Sequence, residues 1–150
     1  MRMIKLVLAS LAVVFSLAVM PATAGSKHPG GPIYVVHLTK FNDGLQSAFM
    51  ATMRADQLQR AGANVTLYLD VLGVNAADLN QPNELHFGLS TKTYAELYNQ
   101  FIADGGDVVV CPGCAASSGV TNLRPGAHFA DETTGEVAKL LLKAKGVLDY

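Results

Sequence analysis

The sequence predicts an α/β protein: an open, mostly parallel sheet with helices on both faces, three layers in all. Three observations carry that prediction. Short segments rich in valine, isoleucine and tyrosine alternate with longer segments of helical periodicity. The strand segments are almost continuous in apolar character, which marks strands covered on both faces rather than on one. Most connections are short, and strands separated by helices pair in parallel through right-handed crossovers.

Residues 1–24 stand apart from this pattern. Arg2 and Lys5 lead an apolar stretch from Leu6 to Met20, and Ala22-Thr23-Ala24 supplies the small-x-small pattern of a signal peptidase site. The stretch is short for a bilayer span and is interrupted by Ser10, Ser16 and Pro21, so cleavage is expected rather than anchoring. Residues 25–32, GSKHPGGP, read as a flexible leader, with His28 a solvated tail residue. The domain proper is expected over residues 33–150.

Its first strand is Ile33 to Leu38, IYVVHL, with His37 a partly buried, satisfied ring. The loop from Thr39 to Gly44 leads to a helix ending near Arg60, and Asp43 with Gln46 three residues on resembles a capping box. That helix is apolar over more than one stripe, which implies burial against the sheet and a second subunit. Asn64 to Leu72 forms the second strand, closed by Gly73, and residues 74–90 form a long connection without clear periodicity. Tyr94, Leu97, Tyr98, Phe101 and Ile102 make a helical stripe that stops at Gly105-Gly106; at that spacing the aromatics belong to the core. Asp107 to Val110 is a third, buried strand. A short fourth is expected between Val120 and Ala130. Thr133 and Glu136 suggest a capping box for a last helix ending at Gly146, and Val147 to Tyr150 a final strand.

Composition narrows the function classes. Loss of the leader's Arg2 and Lys5 takes the formal charge from −1 to −3. With no cluster of Lys and Arg, nucleic acid is excluded as a partner, because phosphate binding draws on clustered positive charge. No second long apolar segment follows, so no membrane association is expected after signal cleavage, and the protein is expected in the periplasm or secreted. Two cysteines are too few for a disulfide scaffold. No cofactor is expected: phosphate-binding glycine loops, nucleophile elbows and paired carboxylates are all missing from the sequence.

The chemistry is concentrated in Val108–Gly119, VVVCPGCAASSG, where a buried strand delivers the chain into Cys111-Pro112-Gly113-Cys114. A thiolate is the nucleophilic form of cysteine, and N–H groups at a helix start favour it. Pro112 suits the first turn of a short helix, so Cys111 is the candidate nucleophile and Cys114 the resolving thiol. A structural disulfide would close only a tiny loop and add little stability. A metal would need one or two of His37, His86 and His128 to complete the thiolate pair. All three uses remain open on spacing alone. Ligands of open α/β sheets gather at the carboxyl ends of strands, so Thr39, Asn42 and Asp43 are candidate substrate contacts, with helix capping the competing role for the last two.

The order of these features resembles the DsrE/DsrF-like family of small sulfur-handling proteins over about residues 33–150. It rests on the strand ending in Thr39, the Asn42-Asp43 helix start, the valine-rich third strand, C-x-x-C-A-x-x-x-G from Cys111 to Gly119, and the closing helix and strand. The resemblance implies a flavodoxin-like layout and a persulfide relay in which Cys111 takes up a sulfane sulfur and passes it on, with Cys114 releasing it. It also implies a sulfur donor or acceptor, protein or small compound, as partner, and assembly as a homotrimer or homohexamer. Relay members of the cytoplasm tend to carry basic residues before the motif's glycine, whereas this chain has Ser117 and Ser118. Their partner contacts therefore do not carry over.

Overall fold

The structure is a computed structural model and describes residues 27–150. The expected signal peptide lies outside the described residues. The chain runs β1 (Ile33–Leu38), α1 (Leu45–Arg60), β2 (Asn64–Leu69), a 3-10 segment (Val71–Ala77), α2 (Tyr94–Ala103), β3 (Asp107–Val110), α3 (Pro112–Ser118), β4 (Ala127–Phe129), α4 (Glu136–Lys143) and β5 (Gly146–Asp149).

Every strand pair is parallel, in the order β4-β3-β2-β1-β5. The predicted open α/β sheet is therefore the observed one. Side chains alternate between faces along each strand. Val36, Leu38, Val65, Leu67, Leu69, Val108 and Val110 point to one face, where they form the core with Phe49, Tyr94, Tyr98 and Phe101 of α1 and α2. Thr66 and Tyr68 point to the other, which α4 crosses on its way from β4 at one edge to β5 at the opposite edge.

Several local expectations give way to stronger physics. β2 ends three residues early because Val71 adopts φ 48, a left-handed conformation that no continuing strand tolerates and that is strained for a β-branched residue. The next residues then coil into a 3-10 segment pressed onto the end of β1. A Cβ at Gly73 would stand 1.9 Å from the Leu38 carbonyl oxygen, so only glycine fits there. Asp43 does not cap α1: the cap is Gly44, without a side-chain bond, and Asp43 is exposed. Nor do Thr133 and Glu136 form a capping box, since α4 starts from Gly135 in the left-handed region. Instead the Asp131 carboxylate accepts from the N–H of Thr133 and of Thr134. The complete capping box is at Thr93 and Glu96, opening α2.

His28, expected to be solvated, is half-buried. Its N–H donates to Asn64 Oδ1 at 2.8 Å, its Nε2 lies 2.9 Å from the Gln59 carbonyl oxygen, and the Asn64 amide donates back to the His28 carbonyl. The apolar breadth of α1 has a partner within the chain: Phe49 packs on Phe87 from the long connection, with centroids 6.1 Å apart. Among the described residues no helix is long and apolar enough to cross a membrane.

Candidate functional site

β3 ends at Val110, and the Cys111 N–H is still held by the Leu69 carbonyl at 2.9 Å, so the sulfur is delivered at the carboxyl edge of the sheet beside the end of β2. Cys111 is the N-cap of α3, with Pro112 in the first turn as its missing N–H permits. The Cys114 N–H donates to Cys111 Sγ at 3.2 Å. Gly119 closes the short helix at φ 73, while the Val120 N–H returns to the Ala115 carbonyl. That left-handed closure accounts for the glycine eight residues after Cys111. Ser117 is spent locally, its hydroxyl donating to the Gly113 carbonyl.

Both thiols are free and partly buried, and both touch the core. Only Cys111 lines the adjoining cavity of about 250 Å³, which lies between the sheet edge and the start of α4. Tyr68, Asp131, Glu132, Glu136 and Val137 are among its walls.

The electrostatics of this cavity run against the thiolate. Burial pushes the Cys111 thiol up, the Cys114 thiol and the Asp70 carboxylate push the same way, and the Cys114 N–H alone opposes them. The N–H stabilisation expected at the strand-to-helix turn is therefore present but outweighed. Tyr68 is pushed up to about 12 by burial and then by Asp70, the two thiols and Glu132, so its phenol stays protonated. Glu136 is held below the usual carboxylate range by the Asp131 N–H and by His128. Asp131 is held low by Thr133 and Thr134.

Behind Tyr68 stands a second group that the sequence did not announce. His37 stacks on the Tyr68 ring with centroids 5.3 Å apart. Its Nδ1 lies 2.7 Å from Asp149 Oδ1 and its Nε2 2.9 Å from Asp70 Oδ1. The ring is thus hydrogen-bonded through Nδ1 to Asp149 of β5, while its Nε2 meets the carboxylate after β2 at ion-pair distance without hydrogen-bond geometry, so the expected satisfied ring is met at one nitrogen.

The remaining expected contacts lie apart from the cavity. The Thr39 hydroxyl donates to the Tyr150 carbonyl at 3.0 Å, and Asn42 and Asp43 are exposed; none of the three lines the cavity. His86 is exposed, and His128 binds Glu136. Among the described residues no group of three His, Cys, Asp or Glu side chains is arranged to hold a metal ion. Tyr68, Asp70 and Glu132 are not singled out in the sequence, and Glu136 only as part of an expected helix cap. Only the parallel order β1-β2-β3 and the crossover to α4 bring them to Cys111, and no spacing along the chain encodes that.

Fold and site together define an open α/β domain with a partly buried dithiol at the carboxyl edge of its central strands. The fold is DsrE-like. The crystal structure of the YchN protein from E. coli is similar, with TM-score 0.64 at 19% identity, covering 80% of this chain and 99% of that one. No protein-family profile matches the sequence, and no curated protein does.

Proposed function

We propose that this protein is an exported sulfur carrier or thiol-exchange protein in which Cys111 reacts first and Cys114 resolves. One observation carries the order of events: of the two thiols, only Cys111 opens onto the cavity, while the Cys114 N–H is directed at the Cys111 sulfur. The Cys111 thiolate attacks the outer sulfur of a donor persulfide R–S–SH, forming Cys111–S–SH and releasing R–S⁻. The Cys114 thiolate then attacks Cys111 Sγ, closing a Cys111–Cys114 disulfide and expelling HS⁻; the sulfane sulfur is reduced as the two cysteines are oxidised. An external dithiol restores the pair by exchange. With a disulfide in place of the persulfide, the same two attacks amount to simple thiol–disulfide exchange. Thiolate is scarce at neutral pH given the raised Cys111 value, yet cysteine remains nucleophilic at a few per cent ionisation. The signal peptide expected from the sequence and the DsrE-like fold support this reading, as does the resemblance of the C-x-x-C-A-x-x-x-G motif. The same resemblance supports assembly as a homotrimer or homohexamer.

The test is intact mass spectrometry after incubating reduced protein with inorganic polysulfide. Cys114→Ser is expected to keep one added sulfur, removable by a reducing thiol. Wild type is expected to end as the disulfide, lighter by two hydrogens. Equal sulfur uptake by Cys111→Ser would overturn the assignment.

A further inference from the structure

The cavity at Cys111 holds three carboxylates, Asp131, Glu132 and Glu136, and no lysine, arginine or histidine among its walls. Two of the three are committed to structure. Asp131 ties the turn at Thr133 and Thr134, and Glu136 accepts from the Asp131 N–H and pairs with His128 at 2.9 Å. Glu132 is exposed and takes no side-chain hydrogen bond among the described residues, so its charge faces whatever enters. Asp70, paired with His37, lies behind Cys111 and pushes both the thiol and Tyr68 toward their protonated forms. The Tyr68 ring supplies an aromatic wall, and aromatic faces attract cations.

Building on the proposed role of Cys111, we propose that this cavity selects small sulfur compounds bearing an ammonium group and rejects anionic ones. A thiolate ringed by fixed carboxylates repels a second anion. Anionic donors such as thiosulfate therefore meet a field of the wrong sign, whereas an aminothiol persulfide or disulfide is drawn in. At about 250 Å³ the cavity suits a molecule of a few heavy atoms rather than a polypeptide segment. Glu132 is the specificity-determining residue, since its charge can be changed without disturbing a turn or a cap.

The experiment measures mixed-disulfide formation on reduced Cys114→Ala, which retains the adduct. In each case the Cys111 thiolate attacks one sulfur of a symmetrical disulfide R–S–S–R, giving Cys111–S–S–R and R–S⁻. Three probes are compared: cystamine, which is cationic, 2-hydroxyethyl disulfide, which is neutral, and dithiodipropionate, which is anionic. Each rate is divided by the rate of the same probe with a small uncharged thiol. The normalised cationic rate is expected to exceed the anionic rate by about tenfold or more at low salt and to converge on it as salt is added. Glu132→Gln should shrink the ratio and Glu132→Lys should shrink it further, with the neutral probe unchanged. If the neutral probe reacts at Cys111 but the charged probes do not differ, selection by charge is overturned and the role of Cys111 stands. If no probe reacts at Cys111, both the role and the selectivity fall.

Discussion

His37 is caught between Asp149 and Asp70 and carries the clearest pH dependence in the molecule. Burial lowers its affinity for a proton, but the hydrogen bond it makes to Asp149, its close contact with Asp70 and the charges of both raise it by more, so the net folded value lies above the ordinary 6.5. The folded state therefore binds that proton more tightly than the unfolded chain. The stabilisation is whole at pH below 6.5, as long as both carboxylates stay ionised, and is lost as pH rises through the folded value. His37→Gln should accordingly cost more stability just below pH 6.5 than in alkaline solution. Urea midpoints across that range check this, and a pH-independent gap would contradict it. At the residue scale the sequence marks the two thiols and the glycine after them, because motif chemistry is local. It does not mark Tyr68, which is one tyrosine of a strand until Cys111 stands beside it. Nor does it show that Asp70 opposes the thiolate, for that depends on the neighbouring strand.

Among the elements, the long connection from Asp78 to Lys92 is tied to the body of the domain by a buried arginine as well as by Phe87. Arg124, 4% exposed, donates from Nη1 to Asn83 Oδ1 and from Nη2 to the Gln81 carbonyl, each at 3.1 Å, while its own N–H reaches the Ala77 carbonyl at 2.7 Å. A buried cation serving neutral acceptors holds them only while it is present. Arg124→Met keeps much of the volume but leaves those acceptors without a donor, and about 2 kcal/mol of stability should go with it. Amide hydrogen exchange should quicken across residues 78–92 before the sheet is affected; unchanged exchange there would show that the tie carries nothing. Elements with a dense local apolar pattern, β1 and β3, match their expected bounds because burial on both faces leaves little ambiguity. The caps do not. Thr93 and Thr133 are each followed three residues later by glutamate, and only the backbone geometry at Thr93 lets the pair close. The 3-10 segment is equally hidden, since it depends on the left-handed Val71 and on the closeness of Gly73 to β1.

At the scale of the whole molecule, the isolated protomer leaves Leu89 and Leu142 almost bare to water, at 101% and 86% exposure. Assembly as the proposed homotrimer or homohexamer would offer such side chains a partner surface, since apolar area gathered into a contiguous patch marks an interaction site. Light scattering coupled to size exclusion is expected to give three or six protomer masses, and a monomer across the accessible concentration range would refute the proposed assembly. The strand order has a further consequence for how the chain acquires its shape. β1 lies between β2 and β5, so one of its two partners is drawn from residues more than a hundred positions away. Until residues 146–149 arrive, the His37 edge of β1 is an open hydrogen-bonding template, and neither Asp149 nor the Tyr150 carbonyl is there to engage His37 and Thr39. A polypeptide threaded outward from its amino end would carry that open edge through most of its transit. The sheet is completed, and the ring behind the thiol locked, only by its last strand.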